Sequence, residues 1–169
     1  MSVWFDCDSC WDGFLDGAPA RVDLTELIPA PPAEVFASIV DPARRAAWSP
    51  GVREARWLSP SPPGVGSERR VIHPLLRADQ RLAVLEPARR CAFYAVRTGS
   101  PALSQLMEEF VLHEERWGTR VRWRVGWRLR LPLRLLEPST VAAAGRVLPS
   151  HLAGLRAYCD ARSAAPAAR

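Results

Sequence analysis

The sequence predicts an α+β domain in which a seven-stranded antiparallel sheet curls around a long C-terminal helix, with two short helices after the first strand. Three patterns predict it. Over residues 119–131, Val121, Trp123, Val125, Trp127 and Leu129 alternate with Arg120, Arg122, Arg124, Gly126 and Arg128. Strict alternation marks a strand with one buried face and one wet face, as in an antiparallel sheet covered on one side. After Pro132 the period changes: Val141, Gly145, Leu148, Leu152, Leu155 and Cys159 recur at steps of four and three. That spacing lines one face of a helix of about five turns. Pro31-Pro32 and Asp41-Pro42 supply two helix starts close together near the N-terminus, since Pro suits a first helical turn and Asp suits the cap before it.

The remaining elements follow in order. Arg21–Ile28 reads as a strand. The helix opened by Pro31-Pro32 carries the apolar stripe Val35, Phe36, Ile39 and Val40, with Glu34 early, where the helix dipole favours an acid. A second short helix ends near Trp48. Strands are expected near Val52–Leu58 and Ser67–His73, separated by Ser59-Pro-Ser-Pro-Pro-Gly-Val-Gly66, a stretch too rich in breakers for regular structure. Further strands fit Gln80–Leu85, Arg90–Arg97, Gln105–Glu114 and Thr119–Leu131. Pro149 falls inside the last helix and predicts a bend. The expected organisation is an N-terminal extension over 1–17, one domain over 18–162 and a disordered Ala-rich tail over 163–169.

Composition bounds the function. A chain of 169 residues buries roughly 70% of its unfolded surface and has no need of disulfides or a metal to hold a core. The 23 basic side chains are all Arg, a bias expected of a GC-rich bacterial genome. Residues 1–17 hold four Asp and no base, so the rest, with 23 Arg against 14 acids, is close to +9. Such a charge favours acidic partners without specifying a fold. There is no apolar run of the ~20 residues a bilayer span needs, and the acidic start lacks the pattern of a signal peptide. Cys7, Cys10, Cys91 and Cys159 are expected as free thiols, and the cytoplasm as the location.

The order of elements and six short motifs resemble the START/Bet v 1-like (SRPBCC) superfamily, and within it the bacterial polyketide cyclase/dehydrase and lipid-transport group. The motifs are Ile28-Pro-Ala-Pro-Pro-Ala-Glu-Val-Phe36, Asp41-Pro42, Trp48-Ser-Pro-Gly-Val52, Gly64-Val-Gly-Ser67, Glu86-Pro-Ala-Arg-Arg90 and Gly118-Thr-Arg-Val-Arg-Trp123. The resemblance implies a helix-grip fold with an internal apolar cavity for a hydrophobic small molecule. It implies no fixed catalytic set, because fold does not specify function.

Hairpin geometry gives the sharpest expectation about a site. If the turn at Glu115–Gly118 joins the last two strands, Leu112 faces Val121, Phe110 faces Trp123 and Glu108 faces Val125. Glu108 then points inward among aromatic rings while Glu109 points out beside Arg122 and Arg124. A desolvated carboxyl has a raised pKa and suits acid–base catalysis; alternatively it is paired with an Arg for structure. Trp48, Tyr94, Phe110, Trp123 and Trp127 are candidate cavity walls, offering rigid apolar area to a polyketide-, lipid- or sterol-like ligand. Each serves equally as plain core. His73 is a candidate proton carrier or a satisfied strand-end residue.

Cys7-x-x-Cys10 lacks the second pair that a zinc site needs, and Asp8-x-Cys10-x-Asp12-Gly13 lacks the acid that closes a calcium loop. No nucleotide-binding fingerprint occurs. No metal or cofactor is therefore expected. Arg120, Arg122, Arg124 and Arg128 form a stripe on the face opposite the Trp residues, which argues against a nucleic-acid platform. The stripe is either a solvated face or a dock for an acidic carrier protein or an anionic membrane. Three functions fit: a binding or carrier protein for a hydrophobic metabolite, a polyketide cyclase or aromatase (dehydrase), and a regulatory scaffold with a vestigial pocket. Convergent polar groups in the cavity favour the enzyme, uniformly apolar walls the carrier, and a filled cavity the scaffold.

Overall fold

The computed structural model describes residues 3–164. Seven strands form one antiparallel sheet: β2 (Ala20–Ile28), β3 (Glu54–Trp57), β4 (Glu68–His73), β5 (Leu76–Glu86), β6 (Arg90–Thr98), β7 (Leu103–Glu115) and β8 (Gly118–Leu129), in the spatial order β2-β8-β7-β6-β5-β4-β3. A two-residue strand, β1 (Phe5–Asp6), adds to β6. Two short helices, α1 (Pro32–Val40) and α2 (Pro42–Trp48), follow β2, and α3 (Glu137–Ala164) ends the described chain. The expected helix-grip architecture is the observed one. Part of the expected tail, residues 163 and 164, completes α3; the rest of it lies outside the described residues.

Local chemistry sets the element boundaries. Asp41 closes α1 and caps α2, its side chain accepting from the Ala43 amide at 2.9 Å, with Pro42 at the first helical position. β5 begins at Leu76, four residues before its alternation becomes readable, because register shifts at Asp79/Gln80 and Leu82/Val84 break the period. The start of α3 is fixed to the end of β8: Glu137 accepts the Leu129 amide at 2.9 Å, and the Trp127 indole donates to Thr140 at 2.9 Å.

The sheet is covered on both faces, but unequally. Its concave face carries the main core, in which Leu82, Phe93, Phe110 and Val121 meet Val35 and Ile39 of α1 and Leu152, Leu155 and Cys159 of α3. Gly154 lets α3 approach α2: a Cβ there would lie 2.2 Å from the Trp48 carbonyl oxygen. Pro149 divides α3 into a C-terminal half seated in the core and an N-terminal half that roofs a cavity.

The convex face is crossed by the N-terminal segment. Cys10, Phe14 and Leu15 pack with Ala92 and Met107 in a second, smaller core. Leu15 sits over Gly126, where a Cβ would come within 2.8 Å of its Cδ2, which accounts for the Gly that interrupts the Arg series of β8. Asp12 pairs with Arg90, and Asp16 with Arg124 at 2.7 Å. The side chain of Glu109, out of contact with solvent, is held between the same two arginines at 2.7 and 2.6 Å. Trp4 lies against the guanidinium groups of Arg70, Arg77 and Arg97 at 4.8, 5.4 and 5.4 Å. Two acids of the segment, Asp12 and Asp16, thus meet arginines of the sheet.

Most of the stripe on β8 is spent in the same way. Arg120 pairs with Glu115, Arg122 with Asp23, and Arg124 with both Glu109 and Asp16. Among the described residues Arg128 has no ion pair. Arg120 and Arg122 are exposed, as expected of a wet face, whereas the N-terminal segment half-covers Arg124 and buries Gly126, and most of the stripe's charge is neutralised within the molecule.

Candidate functional site

The register of the β7–β8 hairpin follows the turn. Leu112 faces Val121, Phe110 faces Trp123 and Glu108 faces Val125, while Glu109 faces Arg124 on the other side. Phe110 and Trp123 stack with ring centroids 5.2 Å apart and planes 9° from parallel. Glu108 therefore points into the concave side, as expected.

Its electrostatics are the opposite of the expectation of a raised pKa. Arg69 Nη2 donates to Oε1 at 2.7 Å, Arg45 Nη2 to Oε2 at 3.2 Å, and the Gln80 amide to Oε1 at 3.1 Å. Burial alone would raise the carboxyl, but the charges of Arg45 and Arg69 outweigh it and hold Glu108 below the ordinary carboxylate range. Glu108 is ionised at neutral pH and is not a proton donor there. Arg69 is itself fully buried, lies 3.4 Å from the centre of the Phe93 ring and donates to Gln80 and to the Ile39 carbonyl. Burial pushes its guanidinium down to about 10, which leaves it charged.

Beside this cluster lies a cavity of about 580 Å³ between the concave sheet and the N-terminal half of α3. Val71, Ala78, Leu106, Val125, Trp127 and Leu129 supply apolar walls from the sheet, and Ala143, Ala144, Val147 and Leu148 from the helix. Its inner end is polar. Arg45, Ser49, Glu108, Trp123 and His151 line the cavity and are all buried. The Ser49 hydroxyl and His151 Nδ1 are 2.6 Å apart. Burial, then the charge of Arg45 and that of His73, push the His151 imidazole down to about 4, so the ring is neutral under physiological conditions. Arg45 spends only one nitrogen on Glu108. Its Nε and Nη1, and the Trp123 indole nitrogen, are buried without a protein partner, a costly state unless a ligand oxygen or water accepts from them.

The candidates from the sequence divide accordingly. Trp123, Trp127, Glu108 and His73 line the cavity. Trp48, Phe110 and Tyr94 are not on its wall. Trp48 is core, its indole donating to the Ser38 carbonyl at 2.7 Å and its ring lying 5.0 Å from Arg45. Phe110 lies behind Trp123. Tyr94 falls on the convex face, its hydroxyl accepting from Arg81. His73 is satisfied beside His151, with ring centroids 5.6 Å apart, its Nδ1 accepting from the Leu75 amide at 3.1 Å and its Nε2 donating to the Pro50 carbonyl at 3.2 Å.

Sequence reasoning did not select Arg45, Arg69, Ser49 or His151. For His151 a signal existed: it lies three residues after Leu148 and four before Leu155, on the face that the apolar period marks as inward. The Cys7–Cys10 pair gives no site. Both are free thiols, and burial raises Cys7 and pushes Cys10 up to about 12. Among the described residues no group of three His, Cys, Asp or Glu side chains is placed to hold a metal, and no helix is long and apolar enough to cross a membrane.

Comparison with known proteins agrees with the fold. An uncharacterised protein of Mycobacterium tuberculosis is 26% identical over 166 residues, covering 95% of this chain and 97% of its own. A START superfamily protein from Mycobacterium smegmatis superposes with a TM-score of 0.72 at 13% identity, over 84% of this chain and 98% of that one. A Streptomyces aromatase/cyclase superposes equally, with a TM-score of 0.72 at 17% identity, over 88% and 98%. At such identities the structural likeness shows the fold. The family model described as polyketide cyclase/dehydrase and lipid transport matches residues 19–160, from the first long strand to the end of the buried face of α3, and the chain belongs to that family.

Proposed function

We propose that the protein binds an elongated hydrophobic small molecule, polyketide-, lipid- or sterol-like, with an oxygen-bearing end directed at Arg45. One observation carries this reading: an open, apolar cavity of about 580 Å³ ends at a buried guanidinium with two donors that no protein group accepts. The volume lies within the usual range for small-molecule sites. An open cavity also speaks against the scaffold reading, which needs one filled by side chains.

Native mass spectrometry of the purified protein tests the proposal. A copurifying apolar molecule with a carbonyl, carboxylate or hydroxyl end supports it. Binding of 1-anilinonaphthalene-8-sulfonate, an apolar anion, should weaken by at least about tenfold in Arg45→Met, while Glu108 keeps Arg69 and Gln80. Equal binding by both forms refutes the role of Arg45.

A second reading, cyclisation or dehydration of the bound chain, is favoured by the Ser49–His151 pair beside Arg45. Arg45 would stabilise a carbonyl oxygen as negative charge develops on it, and the pair would carry the proton. Loss of product formation in both Ser49→Ala and His151→Gln, with probe binding retained, separates this reading from simple carriage.

A further inference from the structure

We propose that the mouth of the cavity docks on an anionic lipid surface, with exposed leucines from two separate elements entering the bilayer around the opening. The proposal rests on the reading of the cavity as a site for a hydrophobic molecule, and concerns how that molecule reaches it.

The observation is the position of the apolar surface. Leu75, at the tip of the β4–β5 hairpin, is 72% exposed. Across the opening, the segment between β8 and α3 reads Leu131-Pro-Leu-Arg-Leu-Leu136, and every residue of it is exposed. Leu131 is 74%, Leu135 89% and Leu136 52% exposed. Leu75, Leu133 and Leu136 also line the cavity, so the same side chains form its wall and project from its rim. Scattered exposed leucines need no explanation, but a cluster confined to the rim of an apolar cavity marks an interaction surface.

Charge selects the partner. The acid that lines the cavity, Glu108, is spent on Arg45 and Arg69, and the nearest acid to the leucine segment is Glu137 at the start of α3. That carboxylate is buried on the Leu129 amide. Arg134 is exposed between Leu133 and Leu135 with its Nε donating to the Leu129 carbonyl at 3.3 Å, Arg53 borders the groove beside Leu75, and Arg146 is exposed on the half of α3 that roofs the cavity. None of the three has an ion pair among the described residues, unlike Arg120, Arg122 and Arg124. Leucines that can enter hydrocarbon, beside guanidinium groups that carry no ion pair and can meet phosphate, form the pattern of a peripheral membrane contact. The cavity then opens toward the phase in which a hydrophobic ligand is dissolved.

The test is co-sedimentation of the full chain with vesicles of phosphatidylcholine alone and of equimolar phosphatidylcholine and phosphatidylglycerol. The expected result is binding to the anionic vesicles only, weakened by salt. It should fall more than about tenfold in Leu135→Asp and in Arg134→Glu, but not in Arg122→Glu on the stripe. These side chains are exposed, and thermal melts check that the variants fold. The apolar probe, measured without vesicles, should bind the variants as it binds the parent, which keeps failure at the rim distinct from failure of the cavity reading. Absence of binding to anionic vesicles, equal binding to neutral ones, or an equal loss in Arg122→Glu overturns the proposal. So does capture of an acidic carrier protein through the rim while vesicles are ignored.

Discussion

Arg69 Nη2 meets Glu108 Oε1 at 2.7 Å across the concave side of the sheet, with neither side chain open to bulk water. Removing the charge of Glu108 leaves Arg69 and Arg45 buried with no countercharge. Glu108→Gln should therefore destabilise the fold by about 3–5 kcal/mol, as breaking a buried pair from one side does. Denaturant unfolding measures it. A change below about 1 kcal/mol would mean that water reaches the cluster and screens it.

His151 gives the protein an acid limit. Its folded value, about 4, lies below the ordinary imidazole value of 6.5, so the unfolded chain binds this proton more readily than the native one. The stability due to neutral His151 is complete above pH 6.5 and is lost as the pH falls toward about 4. Because the ring borders a cavity open to solvent, screening limits the loss to roughly 1–2 kcal/mol. Melting curves of the parent and of His151→Gln between these two values should converge on acidification. Parallel curves would remove His151 as the cause.

Two glycines of α3 make an internal comparison. A Cβ at Gly154 would strike the Trp48 carbonyl, whereas one at Gly145 meets nothing within 4 Å. Gly154→Ala should cost about 2–4 kcal/mol through forced separation of α3 and α2. Gly145→Ala should be neutral or stabilise by up to about 1 kcal/mol. Thermal denaturation of the pair decides.

Deletion of residues 1–17 tests whether the segment on the convex face is an extension or part of the core. Its side chains Phe14 and Leu15 are buried, and Asp12 and Asp16 share Arg90 and Arg124 with Glu109. The truncated chain is expected to fold cooperatively with a loss of about 3–6 kcal/mol, from two apolar side chains at roughly 1.5–3 kcal/mol each. Loss of a cooperative transition would place the segment in the core.

What the sequence made legible follows from which elements have a single wet face. β8 alternates because its outer side chains are arginines in water or on carboxylates, so its register with β7, and the inward aim of Glu108, could be read from one turn. β6 does not alternate. Cys91, Phe93 and Ala95 belong to one core and Ala92 to the other, with Tyr94 packed beside it. A strand buried on both sides hides which way Tyr94 points. The partners of Glu108 were beyond reach for a different reason. β4, which holds Arg69, is three strands from β7, and only the curl of the sheet returns it there. Arg45 stands in a seven-residue helix whose period is too short to fix a face.

The cluster of Arg45, Arg69 and Glu108 sums to one positive charge; Arg69 and Glu108 keep their charges near neutrality, where His151 contributes nothing. The inner wall of the cavity therefore carries a standing electrical bias that ordinary shifts in cellular pH do not alter. An anion, or an oxygen gaining negative charge, is lower in energy there than against the apolar walls, and a cation is higher. A lysine at position 69, as deeply buried, could release its proton and let that bias lapse. Guanidinium keeps it switched on.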